Sequence, residues 1–217
     1  MTTSKESDSL KALLSIASPP LGQQLVELPR EFGHGGGSTE KDLAELLEQR
    51  NGFLAFEGAL HVFPLGPGAE GYELMAWNSQ ELWRFAYDDM ASDHLFFAED
   101  VFGEQFSIRA DRIWRFNPET GDSEDVAASL EHWAQGILQN YEVETGHKLA
   151  HAWQERHGPL PIRERLVPKI PFVAGGQFDV DNLSSVDAAE GMRYRGHIAT
   201  QIRDLPNGAQ IRLAVTE

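Results

Sequence analysis

Phe96-Phe97-Ala98-Glu99-Asp100-Val101-Phe102-Gly103-Glu104-Gln105-Phe106 gathers four phenylalanines, three carboxylates and one glycine in eleven residues. An apolar strand therefore runs into an acidic turn and out again into a second strand. The pattern suits a rigid scaffold that presents negative charge. It supplies none of the parts of a usual active site.

Working outward, Leu95–Ala98, Gln105–Arg109 and Arg112–Phe116 read as three antiparallel strands, the last two joined by Ala110-Asp111. Upstream, Phe53–Leu65 reads as a hairpin broken near Gly58-Ala59, and Tyr72–Ala76 as a further strand. Asn78 or Ser79 would cap a helix over Gln80–Tyr87, which places Trp83 and Tyr87 on one face. Asp8–Ala17 reads as a helix stopped by Pro19-Pro20, and a second helix, capped by Ser38 or Thr39, runs through Arg50 to Asn51-Gly52. Downstream, Pro118–Asp122 is a turn, and helices are expected over Ser123–Gln139 and Val143–Arg156. Pro159, Pro161, Pro168 and Pro171 then forbid regular helix. Strands over Pro171–Val173 and Gln177–Val186, a helix over Ala188–Arg203, a turn at Pro206-Asn207-Gly208 and a strand over Gln210–Val215 complete the chain. The order predicts an α+β fold, a twisted antiparallel sheet flanked by helices, with a smaller C-terminal mixed α/β lobe.

The chain has 217 residues, 41% of them hydrophobic, and carries a formal charge of −16. Residues 88–144 hold 14 Asp+Glu against 3 Lys+Arg, whereas residues 145–217 hold 8 against 9. The acidic middle repels nucleic acid and anionic lipid and favours cationic partners; a plain solubility role for the same charge stays open. Absence of cysteine excludes disulfides and thiolate metal sites. No apolar run reaches the length of a membrane span, and the N-terminus lacks a signal-peptide core. A cytoplasmic protein is expected.

Each motif that could carry chemistry has a plainer reading. Gly66-Pro67-Gly68-Ala69-Glu70-Gly71 fits G-x-G-x-x-G, yet a strand-like segment follows and Glu70 would repel phosphate, so a loop is expected. His34-Gly35-Gly36-Gly37 resembles an oxyanion loop, but no G-x-S-x-G nucleophile elbow accompanies it. His147 and His151 lie four apart without a third converging ligand, so no metal site is assigned. Glu99, Asp100 and Glu104 imitate an acid/base pair, but a turn would leave them solvated and ionised. They read as a charged contact surface or as ordinary turn residues. Four of the five tryptophans are assigned to the core, and Trp77, just before Asn78, to the lining of a surface groove. The candidate partner-binding set is thus Trp77, Asp88, Asp89, Glu99, Asp100 and Glu104. No catalytic residue and no cofactor are assigned.

The order Trp77-Asn78, Trp83, Tyr87, then Phe96 through Phe106, with the Pro118–Asp122 turn, Trp133 and the earlier Asn51-Gly52, resembles the SUKH superfamily of Smi/Knr-type cell-wall-assembly regulators and bacterial toxin-immunity proteins. The resemblance covers roughly residues 39–140. It divides the chain into an N-terminal helix and loop (1–38), a SUKH-like core (39–156) and a C-terminal extension (157–217). It implies an α+β fold and a non-enzymatic binding role. That role is an immunity protein occluding a cognate toxin, such as a basic nuclease domain, or alternatively a regulatory adaptor for another protein. Trp77, Glu99, Asp100 and Gly103 are the positions that match the family's recurring residues.

Overall fold

The computed structural model describes residues 8–25, 37–206 and 208–209. Helix α1 (Asp8–Ile16) buries Leu13 and lays Leu10 and Leu14 against the core. Helix α2 (Ser38–Gln49) follows, with Leu43, Leu46 and Leu47 inward. Strands β1 (Phe53–Ala55) and β2 (Leu60–Val62) form the expected hairpin. A four-residue helix α3 (Leu74–Trp77) and a 3-10 turn (Arg84–Tyr87) lead to β3 (Leu95–Asp100), β4 (Gln105–Arg109), β5 (Arg112–Phe116) and β6 (Ser123–Ala127). The six strands pair in chain order as one antiparallel meander. Helices α4 (Leu130–Gln139), α5 (Tyr141–Glu144) and α6 (His147–His157) come next, followed by β7 (Glu164–Pro168), β8 (Leu183–Asp187) and α7 (Ala188–Ile202). Strands β7 and β8 make a separate antiparallel pair. The fold is α+β.

Register explains the burial of β3. Phe96 pairs with Ser107, Glu99 with Gln105 and His61 with Glu99, so these side chains share one face. That face carries a chain of rings: Phe63–Trp77 at 4.9 Å, Trp77–Trp83 at 5.5 Å and Trp83–Phe96 at 5.1 Å. Phe106 points the other way and meets Trp133 of α4 at 5.6 Å, and Phe97, beside an irregularity in the β3 register, meets the same ring at 5.1 Å. The sheet is thus covered on both sides, which is why its central strand reads as a continuous apolar run.

Several expected elements differ. Tyr72–Ala76 is no strand, because Glu73 caps Ala76 N (2.9 Å) and starts α3. The helix expected over Gln80–Tyr87 is only a 3-10 turn. Asn78 bonds instead to both backbone groups of Phe96 at 2.8 Å, yet Trp83 and Tyr87 still meet at 5.5 Å. The helix expected from Ser123 begins at Leu130, since Ser123–Ala127 completes the sheet and Ser129 is the true cap. Val126, within that stretch, is exposed. The helix expected over Val143–Arg156 divides at Gly146, whose φ of 68° suits glycine and where a Cβ would run into the Phe102 ring. Pro171–Val173 falls at a 3-10 turn (Phe172–Ala174), and the partner of β8 is β7, inside the proline-rich stretch. Neither Ser38 nor Thr39 caps α2 with its own side chain. Asp111, from the β4–β5 turn, accepts from Thr39 N (2.8 Å) and Ser38 Oγ (3.0 Å). The strand expected over 210–215 and most of the His34–Gly37 loop lie outside the described residues.

The C-terminal segment is joined to the core at two levels. Leu166 and Leu183 cluster with Val101, Ala150 and Trp153. Helix α7 packs over the 3-10 turn before β3, and its Met192, Ala188 and Ala199 belong to the main core. Among the described residues, no helix is long and apolar enough to cross a membrane.

Candidate functional site at the acidic turn

The turn between β3 and β4 is closed by Asp100. Its Oδ1 accepts from Phe102 N and Glu104 N, both at 2.8 Å, an Asx turn that fixes the loop. Contrary to the expectation of solvated carboxylates, Asp100 and Glu99 are buried, Glu99 being 1% exposed. Burial pushes the Asp100 carboxyl well above its ordinary range, and the neighbouring Glu104 charge pushes it further. Glu104 is half-buried; its own carboxyl is also raised, burial outweighing the guanidiniums of Arg115 and Arg195. Arg115 lies 3.3 Å from Glu104 and 2.9 Å from Glu144, bridging the turn to the end of α5.

Glu99 is the centre of a buried polar network. Its Oε1 lies 3.1 Å from His61 Nδ1 and 2.7 Å from Arg165 Nη2, the latter an ion-pair contact with poor hydrogen-bond alignment. Gln105 Nε2 donates to Glu99 Oε2 at 3.1 Å, and Trp77 Nε1 donates to Gln105 Oε1 at 2.8 Å. Burial alone would raise the Glu99 carboxyl, but Arg165 and then the His61 bond outweigh it and hold the group below its ordinary value. His61 is pushed down, chiefly by burial, and so stays neutral. Trp77, expected at a surface groove, is 0% exposed and part of this network.

The structure therefore brings together Trp77, Glu99, Asp100 and Glu104, although two of the three carboxylates point inward. Asp88 and Asp89 are exposed and stand elsewhere, where Asp89 pairs with Arg203 just past the end of α7. Sequence reasoning missed Arg165 and Arg195. Both are buried; Arg195 donates from Nη1 to Phe102 O and from Nε to Gly191 O (3.0 Å). Gly103 admits this approach, because a Cβ there would stand 2.7 Å from Arg195 Nη2. The available signal was the balanced charge after residue 144, where the cations that offset the acidic middle are found.

Outside this network two hollows stand out. One, of about 260 Å³, opens at the turn between Phe102, Glu104, Glu119, Phe172, Phe178 and Arg195. The other is an open groove of about 480 Å³ between α1, α2 and the start of α4, lined by Leu10, Lys11, Asp42, Glu45, Leu46 and Glu131. There the Asp42 carboxyl is raised by partial burial and then by the like charges of Glu45 and Asp111. Glu131 is occupied differently, its two oxygens accepting from Ser9 N (2.6 Å) and Leu10 N (3.2 Å) at the start of α1.

The remaining motifs find structural uses. His147 and His151 both face one carboxylate oxygen of Glu57, at 3.4 and 2.8 Å, clipping α6 to the β1–β2 hairpin. Among the described residues, no group of three or more His, Cys, Asp or Glu side chains is placed to hold a metal. In the glycine loop, Gly66 N donates to the Glu73 carboxylate at 3.1 Å, a negative group where a phosphate-binding loop would aim its amides at the ligand.

No family model matches the sequence, and no curated protein matches it. Among solved structures, the chain is similar to the crystal structure of Atu4351 from Agrobacterium tumefaciens, with a TM-score of 0.60 over 88% of each chain. Identity is 14%. The likeness is one of fold.

Proposed function

We propose that this chain is an acidic cytoplasmic protein-binding module, an immunity protein of the SUKH type that neutralises a cognate toxin by covering its working surface. It performs no chemistry of its own. The observation that carries the reading is the α1/α2/α4 groove, where Asp42 and Glu45 stand exposed above an apolar floor of Leu10 and Leu46. Partial burial, and then the like charges of Glu45 and Asp111, raise the Asp42 carboxyl, and such a setting favours a cationic counterpart. The acidic turn is not the contact surface in this scheme, since Glu99 is paired with Arg165 in the core and Asp100 is buried in its own Asx turn. The outward charge of α2 steers the approach of a basic domain, and the groove fixes the final fit.

The test is co-expression with the toxin encoded beside the gene, followed by purification of a complex and stopped-flow association. Rescue of growth and a complex are expected, and replacing Asp42 and Glu45 by lysine should slow association by roughly tenfold at low salt. An on-rate indifferent to both salt and these substitutions would overturn the groove assignment. A stable complex with a non-toxic protein would replace the immunity role with that of an adaptor.

A further inference from the structure

We propose that the hollow beside the acidic turn is a binding site for an organic cation, a guanidinium or primary ammonium on a short apolar stem. The site is separate from the α2 groove and does not depend on it.

Its anchor is Glu119. This side chain is 5% exposed; Oε2 accepts from Val173 N at 2.7 Å, and Oε1 has no partner among the described residues. A buried carboxylate oxygen without a donor is costly, and a charged donor is the group that removes the cost. The surroundings leave the charge uncancelled. Glu104 stands among the like charges of Glu119 and Glu144 and the guanidiniums of Arg115 and Arg195, three carboxylates to two cations. Arg195 does not bond Oε1 in this structure: its Nη1 and Nε donate to backbone carbonyls, and its Nη2 is directed to Met192 Sδ at 3.7 Å.

The walls suit the stem. Phe172 and Phe178 stack at 3.9 Å, and Phe102 meets them edge-on at 5.7 and 6.3 Å. Phe178 is 67% exposed, an aromatic surface at the mouth over which a cation is attracted. A volume of about 260 Å³ falls below the drug-sized range of roughly 300–1,000 Å³ and fits one side-chain-sized group. Such a group can arrive free in solution or as an arginine or lysine of a protein.

Titration with n-butylguanidinium, followed through backbone amide shifts, tests the site. Saturable shifts at Val173, Phe178 and Thr120 are expected, with a dissociation constant on the order of millimolar for so small a ligand. Glu119→Gln should weaken binding at least about tenfold, and Phe178→Ala, at the exposed rim, about threefold. Equal affinity for n-pentanol, unchanged affinity in Glu119→Gln, or no saturation would overturn the proposal. Should Glu119→Gln fail to fold, unchanged binding by Phe178→Ala would overturn it instead. An acetylated, amidated Gly-Arg-Gly peptide distinguishes the sources. Binding at least as tight as the free cation assigns the site to a protein side chain, and binding of the free cation alone assigns it to a small molecule.

Discussion

Glu99 and Arg165 illustrate how a charge can sit in a core without being an active group. Both are almost fully buried, and each is the other's closest counter-charge. A buried pair gives little net stability when intact, but removing one partner strands the other in a medium that solvates it poorly. Arg165→Met should therefore cost about 3–5 kcal/mol in urea unfolding. A loss below about 1 kcal/mol would show that Glu99 is held by His61 and Gln105 alone. The pair was illegible in the sequence for a physical reason. Burial of a carboxylate depends on what lies over it, and the covering cation stands far downstream, in a proline-rich stretch. The aromatic neighbours Phe96, Phe97 and Phe106 were legible because a strand made of them must be covered on both sides whatever covers it. Glu119 gave no local signal at all, as its setting is composed by the turn at Phe172.

At the scale of elements, fixed points come from side chains that belong to other elements. Asp111 caps α2, Glu131 caps α1, and Glu57 clips α6. Helix starts were therefore read imperfectly from the local sequence, and the helix expected from Ser123 begins instead after the Ser129 cap. Strands β1 to β5 were located because alternation and turn residues are local, whereas β7 in the proline-rich stretch was missed, and β6 was missed because its pairing with β5 overrode a helical pattern. The Glu57 clip has a pH signature. The His151 bond and charge of Glu57 raise the imidazole above its ordinary 6.5, and the same bond lowers Glu57 below its ordinary 4.5. The His151 contribution is complete below about pH 6.5 and fades as pH rises through the folded value. That of Glu57 is present above about pH 4.5 and fades as pH falls through its folded value. Both groups are exposed, so the effect is small. The difference in Tm between the native chain and His151→Ala should be widest between those limits and shrink above them. A difference that is flat with pH would mean the contact contributes by packing instead.

For the whole molecule, the C-terminal segment is part of the core's electrostatics as well as of its packing. It brings Arg165 and Arg195 to the turn and lays Met192 and Ala188 into the main cluster. Deleting residues 158–217 should leave a chain with helical and sheet-like far-UV dichroism but no near-UV signal and strong dye binding, the signs of lost packing. A cooperative unfolding transition in the truncated chain would contradict this view.

The meander adds a consequence in time. Its six strands pair in the order in which a ribosome releases them, so each hairpin can close soon after it emerges. Glu99 is synthesised long before Arg165, and until that arginine appears the strand nearest the middle carries an unanswered charge. The nascent sheet waits on its own last third, and only a finished chain can set.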